Sequence, residues 1–212
     1  MNIADQYAYY LISGRRLKRL LDVVLSIAIL LAASIPMLLV AILIKLTSKG
    51  PIFFRQTRVG FQGRSFEILK FRTMVHGTDD WRSHLTKEQQ DEYQKRFKLE
   101  NDPRVTRLGK LLRNSSMDEL PQLLNVLKGD MSLVGPRPIT MDELQLFGPF
   151  TEQLISVKPG ITCISQVSGR SSITLNERIG YDMEYVKRSC VILDVCILCK
   201  TIMVVLLRRG AM

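Results

Sequence analysis

Val23-Val-Leu-Ser-Ile-Ala-Ile-Leu-Leu-Ala-Ala-Ser34-Ile-Pro36-Met-Leu-Leu-Val-Ala-Ile-Leu-Ile44 contains no charged side chain. As an α-helix rising about 1.5 Å per residue, the run would be roughly 33 Å long, close to the thickness of a bilayer's hydrocarbon core. It is too long for the apolar region of a signal peptide, and no small-x-small cleavage site follows before Lys45. Its flanks bear on the topology. Arg15, Arg16, Lys18, Arg19 and then Asp22 stand before it; Lys45, Lys49, Arg55 and Arg58 follow. Basic flanks favour the cytoplasmic side, and here both are basic. Near the middle, Pro36 removes one backbone donor and crowds the preceding turn, so it kinks or breaks a helix. Ser34 beside it could satisfy a carbonyl so freed. Two readings stand equally open: a proline-broken re-entrant helix that enters and leaves by the cytoplasmic face, and an ordinary kinked span.

The rest of the chain bounds what this segment is attached to. With 212 residues, 46% of them hydrophobic, there is enough for one cored domain beyond the membrane element. The expected division is a basic segment and membrane helix over 1–49 and a cytoplasmic interfacial domain over 50–212. A net charge of +10 points to polyanions, and anionic lipid headgroups or phosphorylated substrates are the natural ones. Nucleic acid is disfavoured, because aromatics are only 7% and Trp81 is the single tryptophan, so no stacking platform is in view. Cys196-Ile-Leu-Cys199 has C-x-x-C spacing but no second pair of ligands, which argues for buried thiols on a helix in a reducing compartment over a zinc site.

Ile52–Gly60 and Ser65–Phe71 read as strands of a hairpin around Phe61-Gln-Gly-Arg64, and its face carries Arg55, Arg58, Arg64, Lys70 and Arg72. Residues 76–102 are polar, with a helix expected over Thr86–Leu99. His76 and His84 have no ligand partner and read as surface histidines. Further helices are expected over Arg104–Leu112, Leu120–Leu127, Met141–Lys158 with a break at Gly148-Pro149, and Leu175–Arg188. Val191–Leu207 is apolar but holds Asp194 and Lys200, which suits an interfacial or core helix better than a span. The fold class is therefore α+β: mainly helical, with a small β-hairpin and one membrane element.

The chemistry concentrates in Arg113-Asn-Ser-Ser-Met-Asp118-Glu119-Leu-Pro121-Gln122. Ser116-x-x-Glu119 fits a capping box, in which case the two carboxylates merely start a helix. Pro121 fits that helix poorly unless it begins later, at Leu120; Asp118 and Glu119 then lie in the preceding turn and need another explanation. Around the pair stand Lys70-Phe-Arg-Thr-Met74, Asp102-Pro-Arg-Val-Thr-Arg-Leu-Gly109, Lys128-Gly-Asp-Met-Ser-Leu-Val-Gly-Pro-Arg137-Pro138, and Pro159-Gly-Ile-Thr followed by Gln166-Val-Ser-Gly-Arg170. In these long motifs, from about Lys18 to the final Arg-Gly-Ala, the chain closely resembles the bacterial sugar transferases, the monotopic phosphoglycosyl transferases.

The resemblance implies that Asp118 is a nucleophile that attacks the sugar-bearing phosphorus of a UDP-hexose and releases UMP, and that polyprenyl (undecaprenyl) phosphate then takes the sugar phosphate from the aspartyl intermediate. It implies that Glu119 helps hold Mg²⁺. Arg113 and Arg137, with Lys70 and Arg72, are the candidates for neutralising substrate phosphates, since guanidinium suits bidentate phosphate contact. It places the chain at the cytoplasmic face of a bacterial inner membrane, in exopolysaccharide or capsule assembly. One departure is Cys163-Ile164-Ser165, where the family often has a small and then a bulky residue, so the sugar is not carried over. The chain also lacks the extra N-terminal spans of longer members, and a homodimer or partner chains could supply what those carry. Two other readings compete: a non-catalytic membrane-anchored module that binds acidic lipid or recruits a complex, and a membrane phosphohydrolase that uses Asp118 with water.

Overall fold

The computed structural model describes residues 3–78, 83–96, 99, 102–168 and 174–207. Its order is α1 Ile3–Thr47, β1 Phe53–Val59, β2 Ser65–Phe71, α2 Lys87–Arg96, α3 Arg107–Asn114, α4 Gln122–Lys128, β3 Ser132–Val134, α5 Met141–Gln145, α6 Thr151–Ile155, β4 Gly160–Thr162, α7 Ile164–Ser168, α8 Leu175–Arg188 and α9 Val191–Leu206. Helices dominate, with one antiparallel hairpin, so the α+β expectation holds. Trp81, Gly169, Arg170 and the final Arg-Gly-Ala lie outside the described residues.

α1 is the apolar element, and Pro36 lies inside it. The helix continues through Pro36 to Thr47, so the expected break is not an end of the element; in an apolar surrounding the other backbone groups have no better partner than the helix itself. The Ser34 hydroxyl donates to the Leu31 carbonyl at 2.8 Å, one residue before the carbonyl that Pro36 leaves without its usual donor. Leu17, Leu20, Val24, Leu31, Ile35, Leu38, Ile42 and Leu46 are exposed along one side at helical spacing. The opposite side is buried near each end, at Asp22 and Ser26 and again at Val40 and Ile44, with Leu30 and Met37 partly buried against the cores; Ser34 and Pro36 between them are exposed.

Both ends are fastened to the same body. At the first, Lys18 Nζ donates to Asp194 Oδ2 at 2.6 Å and to the Val134 carbonyl at 3.0 Å. Arg19 caps the C-terminal end of α4 through the Val126 and Leu127 carbonyls at 2.5 and 2.8 Å, where a cation meets the negative end of the helix dipole. Asp22 Oδ1 accepts from Leu133 N at 3.0 Å and from Ser132 Oγ at 3.1 Å. At the other end, Val40 and Ile44 pack with Phe71 and Leu112. Arg72 Nη2 donates to the Ser48 carbonyl at 3.0 Å and to Ser48 Oγ at 2.6 Å. Lys18 and Arg19 are thus structural, leaving Arg15 and Arg16 as the exposed charges of that flank.

The body is layered on the hairpin, whose register runs from Phe53↔Phe71 to Val59↔Ser65. Its main core joins Ile68, Leu123, Val126, Met131, Leu133, Val134, Tyr185 and Ile197; a second joins Ile139, Phe147, Leu154 and Met183. β3 and β4 form a parallel pair that the sequence did not suggest, with Ser132↔Gly160 and Val134↔Thr162. It exists because two glycines let the backbones touch: a Cβ on Gly160 would lie 2.1 Å from Gly135 N. α8 starts with a full capping box, Thr174 with Glu177, and ends at Arg188, as its pattern predicts. The region expected as one broken helix over 141–158 is α5, a 3-10 turn at Gly148–Phe150 and α6. In α9, Asp194 turns inward to Lys18 and to Tyr185 Oη, which donates at 2.7 Å, while Ile192, Val195, Ile202 and Met203 face outward. Cys190, Cys196 and Cys199 are exposed; only Cys163 is buried, which corrects the expectation of buried thiols on this helix.

Candidate active site

Asp118 and Glu119 sit in a 3-10 turn, Met117–Glu119, and α4 begins only at Gln122, after Pro121. Ser116 has a left-handed φ of 57° and its side chain makes no capping bond, so the capping-box reading fails. Pro121 carries no N–H, so the helix starts behind it and the carboxylates are left in the turn.

Three elements converge on this turn. α3 approaches through Gly109, where a Cβ would lie 2.0 Å from the Thr73 carbonyl oxygen. The close approach brings Arg113 Nε to Thr73 Oγ1 at 3.0 Å. β2 is held against α4 by Asn125, whose Oδ1 accepts from Leu69 N at 3.0 Å while its Nδ2 donates to the Glu67 carbonyl at 2.7 Å. This buried amide does for the edge of β2 what a neighbouring strand would do. Lys70, the next residue, then reaches Glu119 Oε1 at 2.7 Å. The third element is the Gly135-Pro136-Arg137-Pro138 loop, pinned by Gly135 N to the Thr162 carbonyl at 3.1 Å and by Gly160 N to the Pro136 carbonyl at 2.8 Å. Its neighbours are buried but Arg137 is exposed, and among the described residues its side chain makes no ion pair.

The electrostatics divide the two carboxyls. Burial pushes Asp118 up to about 6, the charge of Glu119 adds to the rise, and Lys70 and Arg113 offset it only in part. Burial would raise Glu119 too, but the Lys70 ion pair and the Arg137 charge hold it below the usual carboxylate range. One acid is thus a firmly ionised counter-charge and the other a desolvated carboxylate that is ionised at neutral pH.

Of the residues predicted from sequence, Asp118, Glu119, Lys70, Arg113 and Arg137 come together. Arg72 does not: β2 ends at Phe71, and the buried Arg72 guanidinium turns to Ser48 at the end of α1. Asn125 and Gly109 were missed, and no local pattern marks either one. His76 and His84 are exposed, as read.

The family described as bacterial sugar transferase matches residues 13–208. The chain belongs to that family. Among relatives of this sugar transferase, the undecaprenyl-phosphate galactose phosphotransferase of Salmonella typhimurium is 45% identical over 94% of this chain and 42% of its own length. The exopolysaccharide production protein ExoY of Sinorhizobium fredii is 41% identical, covering 92% of this chain and 87% of its own. The UDP-glucose:undecaprenyl-phosphate glucose-1-phosphate transferase of Escherichia coli is 38% identical over 89% and 40%. The chain therefore spans about two-fifths of some relatives and nearly nine-tenths of others.

Proposed function

We propose that this sugar transferase moves hexose 1-phosphate from a UDP-sugar to polyprenyl phosphate, with Asp118 as nucleophile. The observation that carries the reading is Asp118 itself: a buried carboxylate beside Lys70 and Arg113, next to a Glu119 on which Arg137 bears, in a turn where it caps nothing. An oxygen of Asp118 attacks the phosphorus that bears the sugar. The bond from that phosphorus to the bridging oxygen breaks, and UMP leaves with the oxygen. An oxygen of polyprenyl phosphate then attacks the same phosphorus and displaces Asp118, which yields polyprenyl-diphosphate-sugar. The first step exchanges a phosphoanhydride for an acyl phosphate and the second exchanges that for a phosphoanhydride, so positioning and charge neutralisation are what the protein must supply.

Arg113 and Arg137 would bear on the phosphate oxygens, while Lys70 pairs with Glu119. The donor set fits Mg²⁺, which takes one or two carboxylates from a protein when substrate phosphates complete its shell. Glu119, whose Oε1 accepts from Lys70, would help hold such an ion, whose chemistry would be to neutralise charge on the diphosphate.

The membrane placement follows from α1. Its outward side is largely apolar between Leu17 and Leu46, yet Lys18, Arg19 and Asp22 near one end and Ser48 at the other are bonded to one polar body. That arrangement favours a helix that dips into the cytoplasmic leaflet of the inner membrane and returns over one that crosses it. An active site there meets a lipid-borne phosphate and a soluble nucleotide sugar together. Incubating the protein in vesicles with UDP-galactose or UDP-glucose, Mg²⁺ and polyprenyl phosphate tests the assignment. UMP release with labelled lipid, lost in Asp118→Asn, is expected; free sugar phosphate without lipid product would mean a phosphohydrolase, and no turnover a non-catalytic module.

A further inference from the structure

We propose that Glu143, far along the chain from the acidic pair, is a positioning residue for the transfer and acts through Arg137; the proposal rests on Arg137 being a phosphate clamp. Pro136 and Pro138 fix φ on either side of Arg137 and contribute no N–H, so the Arg137 N–H is the triplet's one backbone donor, and it goes to the Asp182 carboxyl on α8. It is held from outside, and on its C-terminal side Glu143 organises the hold.

Glu143 lies on α5 and is buried. Oε2 accepts from Arg58 Nη1 at 3.0 Å and from Thr140 N at 2.9 Å, and Oε1 accepts from Arg178 Nη1 at 3.4 Å. The same Arg58 Nη1 reaches the Pro138 carbonyl at 3.4 Å, and Val59 N donates to the Ile139 carbonyl at 2.9 Å. One carboxylate thus ties the hairpin, α8 and the residues just after Arg137 into a single joint. Its burial is offset by Arg178, Thr140, Arg58 and also Arg137, which bears on Glu119 as well. The Arg137 charge thus bears on Glu119 in the site and on Glu143 and Asp182 outside it. A buried ion network of this kind is weak as a source of stability and stronger as a source of defined geometry.

The test is a pair of double-mutant cycles on UMP release from UDP-galactose in vesicles containing polyprenyl phosphate. Glu143→Gln removes the charge but keeps a residue type that serves a capping box, so the start of α5 survives. Arg58→Met removes the hold on Pro138 and leaves Glu143 with Arg178; it carries the same comparison if Glu143→Gln does not fold. Each is made alone and together with Arg137→Ala, and melting temperatures are recorded alongside. Each single variant should lower kcat/KM by at least about tenfold through misplacement of the clamp. In the Arg137→Ala background neither should lower it further. If the losses multiply in both backgrounds while Arg137→Ala is itself slow, Glu143 does not act through Arg137, and the clamp stands without it. A normal rate for Arg137→Ala overturns the clamp and the proposal together.

Discussion

Asp118→Asn should make the protein more stable while abolishing its turnover, and the size of the gain should depend on pH. Asp118 titrates at about 6 in the folded chain against a reference of 3.8. The folded state thus binds the proton more tightly than the unfolded state, so stability falls as pH rises between those values and is level above the higher one. At about 1.36 kcal/mol per pH unit, ionised Asp118 costs the fold on the order of 3 kcal/mol at pH 8. At pH 5 the folded carboxyl is mostly protonated and the cost is roughly half as large. Asparagine has the shape without the charge and removes the cost. With about 2–4 °C per kcal/mol for a chain of this size, the variant should melt roughly 6–12 °C higher than wild type at pH 8. Titrating groups that do not interact with Asp118 are common to both proteins and cancel in the difference, and Glu119, held below the usual carboxylate range, is ionised at both pH values. The assay is a thermal melt of both, in the same vesicles or detergent, at pH 5 and pH 8. No gain at pH 8, or a gain that does not shrink at pH 5, would refute the argument that burial and Glu119 hold Asp118 in an unfavourable charged state.

Turnover itself should fall below pH 6, about tenfold per unit, as Asp118 takes up a proton and ceases to be a nucleophile; single-turnover rates from pH 5 to 8 check this. Asp22→Ala leaves Leu133 N–H and Ser132 Oγ–H without their acceptor and should cost about 3–5 kcal/mol in denaturant unfolding, with Asp22→Asn losing far less because an oxygen remains. Gly109→Ala puts a Cβ against the Thr73 carbonyl and should push α3 outward, lowering UMP release through a displaced Arg113 even in protein that remains folded by circular dichroism.

Long, strongly patterned elements were legible. The hairpin, α8 with its Thr174 capping box, and the apolar α1 follow from alternation, capping chemistry and hydrophobic run length. Asp118 and Glu119 were legible as a pair, but whether they capped a helix turned on Pro121, and only the turn geometry decided it. β3 and β4 were not legible, because three residues give no periodicity and the pair depends on Gly135 meeting Gly160 across 25 residues of chain. Lys70 and Arg72 were grouped as cations of one basic hairpin. They part because the strand ends at Phe71, as its pattern predicts, and Arg72 beyond it turns to Ser48 at the end of α1. Asn125 carries no signal at all in a short helix; its role arises from the unpaired edge of β2 lying beside it.

The fastening of α1 at both ends has an engineering consequence. A detachable anchor can be exchanged for any other greasy helix, but this one contributes a wall, a cap for α4 and the counter-ion of a buried aspartate. Swapping it for a generic tether, or shaving it off to obtain a water-soluble enzyme, would open the body that carries Asp118 and expose its core.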